Sequence, residues 1–250
     1  MNQDFADLKR GTPAAAERQR YVADLFGRLA PRYDRFNRWV SFFRDERWRK
    51  ETVACLQERA NGVVLDLAAG TGDLAQVALA AGARHVHAFD ISYEMLKLAK
   101  QKLLRGTEFG GRVAVVQGSA ERLPYRTASF DGVVSGFAMR NVFHFLDDVL
   151  RETRRVLKPG GRVAILELSR PRHAVLRFGF RLHMKTVMPL VGRLATGQSE
   201  PFQYLYQTTM TYLSPEAFRT RLERAGFEDV GFQTYLFGGI AIHSARKPAA

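Results

Sequence analysis

Three carboxylates and two glycines carry the chemistry-bearing pattern of this 250-residue chain: Asp66, Gly70, Gly72 and Asp73 in one short stretch, and Asp90 at the end of the next apolar run. Glycines at that spacing make a tight turn where backbone can approach a ligand. A carboxylate about 20 residues further on offers acceptor oxygens to a ribose diol. The pattern reads as a site for a nucleotide moiety. Gly70-x-Gly72-x-x-Ala75 also fits a dinucleotide fingerprint with a small third residue, so charge has to separate the candidates. A dinucleotide would lay its pyrophosphate on the amides of the following helix, flanked by Asp66 and Asp73, where like charges repel. S-adenosylmethionine has no phosphate, and its ammonium, sulfonium and ribose hydroxyls all suit carboxylates. The balance favours S-adenosylmethionine over a dinucleotide, and over an ordinary strand-to-helix turn, which would not need Asp90.

Holding these groups requires a strand before the turn and a helix after it. Residues 63–67 are apolar except for Asp66, residues 73–81 form a short helix closed by Gly82, and residues 85–90 form the next strand. Ser92 opens another helix as its N-cap. Further strands are expected at 112–117, 130–135 and 161–167, with a helix over 145–157 between the last two; a capped helix runs from Ser214 to Ala225, and two strands follow near 230–236 and 239–244. Alternating strands and helices of this kind predict a Rossmann-like α/β fold, doubly wound, with helices on both faces of a parallel sheet.

An apolar content of 46% is enough for a sizeable core at this length. The single cysteine, Cys55, excludes an internal disulfide and a cysteine metal cluster, so no metal is expected. There is no uncharged apolar run long enough to span a bilayer, and Met1-Asn2-Gln3-Asp4 lacks a signal peptide's basic and apolar regions, which predicts a cytoplasmic protein. The net charge of +13 raises nucleic acid and anionic lipid as partners. With no RNA-recognition signature, zinc-finger spacing or lysine-rich arm, nucleic acid is not expected.

Two stretches flank this core. After a loose tail over residues 1–13, apolar residues recur at helical spacing from Tyr21 to Leu29, and Pro31 is expected to break that helix. Residues 14–60, with aromatics among arginines, are read as a helical cap. From 169 to 199 the chain holds Arg170, Arg172, Arg177, Arg181, Lys185 and Arg193 with no acidic residue, interleaved with Phe178, Phe180, Met184 and Met188. That composition predicts an inserted substrate lid over 169–212 or a membrane-surface element. The core then occupies 61–168, and 213–250 completes the sheet.

Several motifs occur together: Leu65-Asp-Leu-Ala-Ala-Gly-Thr-Gly-Asp73, Asp90-Ile-Ser-Tyr-Glu-Met-Leu96, Ala120-Glu-Arg-Leu-Pro-Tyr125, Phe137-Ala-Met-Arg-Asn-Val142 and Arg155-Val-Leu-Lys-Pro-Gly-Gly161. They resemble class I S-adenosylmethionine-dependent methyltransferases. Phe26-Gly-Arg-Leu-Ala-Pro-Arg-Tyr-Asp34 with Asn37, the Arg140-Asn141 pair, Glu167-Leu-Ser-Arg-Pro171 and Tyr212-Leu-Ser-Pro215 narrow the resemblance to the UbiE/MenG quinone C-methyltransferases, over roughly residues 21–247. The resemblance implies a seven-stranded sheet whose last strand is antiparallel, and cofactor contacts at Thr71, Asp90, Ser119, Ala120 and Ser135; Asp66, Ala68, Gly70, Gly72, Asp73 and Ile91 complete the expected set. Serine at 119 departs from the family's usual Asp or Asn, which accepts from the adenine amine, and Ala138 stands where glycine is usual.

The reaction it implies is methylation of a ring carbon of a prenylated quinol, either demethylmenaquinol or a 2-polyprenyl-6-methoxy-benzoquinol, with another lipophilic acceptor such as a sterol or polyketide as the alternative. Ring carbon is a weak nucleophile until a hydroxyl proton is removed. Arg140 and Asn141, after the fourth strand, are therefore assigned to the quinol oxygens, with arginine as counter-charge because its pKa, above ~12, makes it a poor base. The proton acceptor is open between His144, whose imidazole titrates near neutral pH, and Asp34. Tyr33, Asn37, Phe137, Met139 and Tyr204 are expected at the substrate. Transient contact with an anionic membrane surface, on its inner face, and a homodimer complete the expectations.

Overall fold

The structure is a computed structural model and describes residues 13–41, 43–105, 110–197 and 200–249. The tail expected over 1–13 lies, except for Pro13, outside the described residues. Short apolar strands make one sheet: β1 (Val63–Leu67), β2 (His85–Asp90), β3 (Val113–Gln117), β4 (Phe130–Gly136), β5 (Leu157–Leu168), β6 (Glu228–Tyr235) and β7 (Ile240–Arg246), in the order β3-β2-β1-β4-β5-β7-β6. β1 to β5 are mutually parallel. β7 runs antiparallel between β5 and β6, so the seven-stranded sheet with an antiparallel last strand is what forms. The connections reverse direction at β1, which pairs with β2 on one side and β4 on the other. A parallel sheet opens a crevice at the carboxyl ends of such strands.

Helices α2 (Asp45–Ala54), α3 (Asp73–Ala80) and α4 (Tyr93–Leu103) cover one face, where Val53, Ala75, Leu79, Ala99 and Leu103 meet Val64, Val86 and Val134. On the other, α5 (Leu146–Val156) and α9 (Pro215–Arg224) bury Leu146, Val149, Leu150, Phe218 and Leu222 against Leu65, Val133 and Val163. Ser214 caps α9 by accepting from Ala217 N at 3.2 Å. Ser92 occupies the N-cap position of α4 but makes no capping bond; its hydroxyl turns to Ala23 O at 3.4 Å.

A third body lies over the crevice. It consists of α1 (Pro13–Val40), α6 (Ala174–Leu182), a π-helical turn (His183–Val187), α7 (Met188–Thr196) and α8 (Glu200–Thr211). These share Leu29, Met184, Met188 and Phe202, with Phe26, Tyr33, Val40 and Leu205 packed around them. The break expected at Pro31 does not occur, because α1 continues through it to Val40. Proline forfeits one backbone bond and crowds the preceding turn, at about 3 kcal/mol. Here Phe26 and Leu29 before Pro31, and Tyr33 and Val40 after it, pack on the same apolar cluster, which offsets that strain. No helix among the described residues is long and apolar enough to cross a membrane.

Candidate active site

The turn after β1 is held in an unusual backbone path. Ala68 has φ +58°, Gly70 +54° and Gly72 +83°, and Ala69 N donates to Phe89 O at 2.9 Å, tying the turn to β2. A side chain on Gly72 would meet Ala99 and Leu103 of α4 within 3.2 Å as well as strain the backbone. Left-handed conformation at Ala68, and at Phe137 (φ +58°) after β4, is sustained only where the surroundings enforce it.

Two carboxylates face this turn. Asp90 accepts from Gly70 N through one oxygen and from Ser92 N through the other, both at 2.8 Å; burial pushes its carboxyl above the usual range in spite of those bonds. Asp66 accepts from Ala75 N at 2.8 Å through Oδ2, while Oδ1 is buried without a hydrogen-bond partner among the described residues. Burial, reinforced by the charges of Asp90 and Asp73 and opposed by the Ala75 amide, pushes Asp66 up to about 7.

Two hollows meet at Ala68. One, of about 60 Å³, is lined by Asp90, Ile91, Ser119, Ala120, Asn141 and apolar neighbours, and suits an adenosyl group. The other, of about 50 Å³, is lined by Asp66, Gly70, Thr71, Asp73, Tyr33, Asn37 and Phe137, and suits a methionyl group. The orphaned Oδ1 of Asp66 is the acceptor an ammonium would need there. The residues present thus fit S-adenosylmethionine, and α1 roofs both hollows, Gln19 and Val22 over the first and Tyr33 and Asn37 over the second.

Beyond the methionyl hollow lies an apolar cavity of about 200 Å³, walled by Phe26, Leu29, Trp48, Phe180, Met184 and Phe202 among others. Tyr33, Asn37 and Phe137 border both spaces. Burial raises the Tyr33 phenol although the Arg140 charge opposes it, so it is a proton-bearing donor in that shared wall. Arg140 lines the cavity, and its Nη1 donates to Glu167 Oε1 at 2.6 Å and to Phe137 O. Its Nε is buried with no partner among the described residues. Glu167 also accepts from Arg140 N at 3.2 Å and from Leu168 N at 2.8 Å, so the pair is a buried, internally balanced unit.

Several expected residues fall elsewhere. Asn141 lines the adenosyl hollow, while Arg140 lines the cavity, so the two neighbours border different spaces. Asp34 is not in the cavity wall. It accepts from Thr71 Oγ1 at 2.5 Å and Lys102 Nζ at 2.6 Å in a polar groove, because α1 presents it towards the turn and α4. His144 meets Arg18 at 2.5 Å, also away from the cavity. Met139 packs into the main core among Leu67, Phe145 and Leu146, since the turn after β4 sends it inward. Tyr204 stacks edge-on against Tyr21 and Phe26, behind the cavity lining. Ser135 is buried and donates to Leu67 O at 2.7 Å, bracing β4 against β1 rather than facing either hollow. Ser119 Oγ accepts from Gln19 Nε2 at 3.3 Å. Ala138 keeps φ out of the left-handed region and packs in the core, so the missing glycine there is tolerated without strain.

Sequence reasoning missed Glu167, Lys102, Arg49 and Gln19. Lys102 binds Asp73 at 2.5 Å as well as Asp34, and Arg49 binds Asp73 at 2.9 Å and pairs with Asp45. Only Glu167 carried a usable signal, a lone carboxylate at the end of an apolar strand.

The chain matches the model of the ubiE/COQ5 methyltransferase family over residues 14–247. It is 38% identical over 232 residues to a demethylmenaquinone methyltransferase of Lactiplantibacillus plantarum, covering 91% of this chain and 96% of that one. It is 36% identical over 248 residues to a ubiquinone/menaquinone biosynthesis C-methyltransferase UbiE of Idiomarina loihiensis, covering 98% of both. Among solved structures it resembles an S-adenosylmethionine-dependent methyltransferase of Thermotoga maritima (TM-score 0.63, 20% identity, 90% and 99% coverage) and the [4+2]-cyclase SpnF (TM-score 0.60, 21% identity, 82% and 81% coverage), likenesses of fold alone.

Proposed function

The chain belongs to the ubiE/COQ5 methyltransferase family, and from that premise we propose that it transfers the methyl group of S-adenosylmethionine to a ring carbon of a prenylated quinol, demethylmenaquinol or a 2-polyprenyl-6-methoxy-1,4-benzoquinol. The observation that carries this reading is the wall of Tyr33, Asn37 and Phe137 shared by the methionyl hollow and the apolar cavity. A lipophilic ring seated in the cavity lies beside the reacting end of the cofactor, with water excluded by aromatic walls.

When bound, S-adenosylmethionine supplies an electrophilic methyl group on a cationic sulfur. The chain has to make a ring carbon nucleophilic. The quinol gives up a hydroxyl proton, and the ring carbon takes the methyl group as the methyl–sulfur bond breaks and its electron pair leaves with S-adenosylhomocysteine. The ring carbon then loses its own proton while the oxygen regains one, so that one proton is released overall. Arg140 Nε is the unspent donor that suits the quinol oxygen, and Glu167 fixes the guanidinium and balances its charge. Balanced in this way, Arg140 orients and hydrogen-bonds more than it supplies net charge. Of the carboxyl and imidazole groups lining the cavity, Asp45 is a weak base: burial works against its ionisation, but Arg49 and Ser41 hold it below the usual carboxylate range. His183 in the π-helical turn is therefore the proton acceptor in this proposal.

The polyprenyl tail suits the lid. None of α6 is buried; Phe180 turns to the cavity, while Val175, Phe178 and Leu182 point outward, more than half exposed, beside Arg177 and Arg181. This face fits an anionic leaflet, from which the tail enters. Flotation with phosphatidylglycerol vesicles is expected to fall several-fold for Phe178→Ser, and binding indifferent to anionic lipid would reject the contact.

The deciding assay is methyl transfer from labelled S-adenosylmethionine to reduced demethylmenaquinone and to reduced prenyl-methoxy-benzoquinone, side by side. Label in either supports the proposal and identifies the ring. Label in neither, with cofactor binding intact, would overturn it in favour of another lipophilic acceptor.

A further inference from the structure

The adenosyl hollow contains an acceptor without a donor. Asn141 Oδ1 is buried there with no hydrogen-bond partner among the described residues. Its backbone is fixed, since Asn141 N donates to Ala138 O at 2.9 Å, so the amide is aimed by the rigid turn between β4 and α5. Two donor groups of α1 near this hollow bond to residues other than Asn141: Gln19 Nε2 donates to Ser119 Oγ at 3.3 Å and Glu121 Oε1 at 3.1 Å, and Arg18 Nη1 meets His144 at 2.5 Å. A buried amide oxygen left in this way is costly, and a donor from water or a ligand relieves the cost.

The adenosyl group carries two kinds of donor, ribose hydroxyls and the 6-amino group. Asp90, at one end of the hollow, retains lone pairs for the diol after accepting its two backbone bonds. The remaining walls include Val22, Phe89, Val142 and Phe145, apolar surfaces suited to the faces of a purine. Ser119, at the position where an acid or amide is usual, is a short hydroxyl whose oxygen already accepts from Gln19. We infer that Asn141 Oδ1, and not Ser119, receives the 6-amino group, which makes Asn141 the residue that reads the base rather than a quinol ligand. The inference rests on S-adenosylmethionine as cofactor.

Calorimetric binding of S-adenosylhomocysteine and of its 6-deamino analogue, with purine in place of adenine, tests this without turnover. The wild-type protein should prefer the amino form by about tenfold, the size of one buried hydrogen bond. Asn141→Ala should bring the two ligands within about twofold, and Ser119→Ala should keep the preference. Should Asn141→Ala fail to fold, Asn141→Asp, which retains the acceptor, is expected to keep the preference as well. A preference that survives in Asn141→Ala, is lost in Asn141→Asp, or disappears in Ser119→Ala overturns the assignment. Failure of the wild-type protein to bind either ligand would instead remove the cofactor on which the inference rests.

Discussion

Below the site, Val64, Leu65, Val86, Ala88, Val133 and Val134 of β1, β2 and β4 have no exposed surface; above it, α1 and the lid helices share Leu29, Met184, Met188 and Phe202 as their buried cluster. The floor is a doubly covered sheet, while the roof is a thin body with a small core of its own. Many of the links between them are polar: Gln19 to Ser119 and Glu121, Arg18 to His144, and Asp34 to Thr71 and Lys102. Polar links in partial contact with solvent exchange readily for water, whereas a packed sheet does not deform. The floor therefore presents fixed charges to the cofactor, and because both hollows lie beneath α1 the roof is the part expected to lift when the cofactor enters.

The largest effect expected comes where floor and roof meet at the cavity. Arg140→Ala removes the donor proposed for the quinol oxygen and leaves Glu167, 1% exposed, without its partner. Breaking a buried pair on one side costs about 3–5 kcal/mol, so this variant loses both stability and turnover. Arg140→Met combined with Glu167→Gln separates the two, because the buried charge leaves with the guanidinium. Thermal melting should recover most of the wild-type stability, while methyl transfer stays about a hundred- to a thousandfold down, the scale of a lost transition-state donor. Turnover that recovers with stability would assign the pair to the floor's architecture alone.

The next effect belongs to the floor. Asp66 holds its proton up to about pH 7 in the free protein, whereas an unfolded aspartate releases it near ~3.9. Between those values the folded state binds the extra proton, so the stability contribution of this group falls as pH rises through the window and levels off above it. Asp66→Asn should abolish that slope and raise the melting temperature of the cofactor-free protein at pH 8. Cofactor binding should respond in the opposite direction. Below pH 7 the wild-type affinity should drop by up to about tenfold per pH unit as the carboxylate is protonated, and the Asn variant should bind weakly at every pH. A wild-type affinity flat from pH 5.5 to 8 would remove Asp66 from the ammonium site.

The contrast also explains what the sequence made legible. The floor is local and repetitive: each strand is an apolar run, and a carboxylate ending such a run, as at Asp66 and Asp90, stands out against it. Glu167 ends β5 in the same way and was available to the same reasoning. The roof is assembled from distant parts. Lys102 sits on an ordinary amphipathic helix 68 residues from Asp34, and nothing in either neighbourhood predicts that they meet. Pro31 reads as a helix end from sequence alone, because the apolar cluster that carries α1 through the proline comes from Phe180, Met184, Met188 and Phe202, far along the chain. Adjacency in the sequence groups Asn141 with Arg140, whereas in the fold the two line different spaces.

The smallest effect is the one that tests the movable roof directly. Lys102→Met releases Asp34 and Asp73 from a side chain that is about a quarter exposed, with Asp34 itself 43% exposed. Solvent screening limits such a pair to about 0.2–1 kcal/mol, so the melting temperature should hardly move. The roof should nonetheless open more often: cofactor association and dissociation should both quicken a few-fold with little change in affinity, and amides of α1 should exchange faster while those of β1 and β4 stay protected. Asp34→Asn should behave alike and keep turnover within a few-fold of wild type, because Asp34 meets Thr71 and Lys102 and does not line the apolar cavity. Loss of turnover by orders of magnitude in Asp34→Asn with cofactor kinetics unchanged would return Asp34 to the chemistry and leave the roof without its latch.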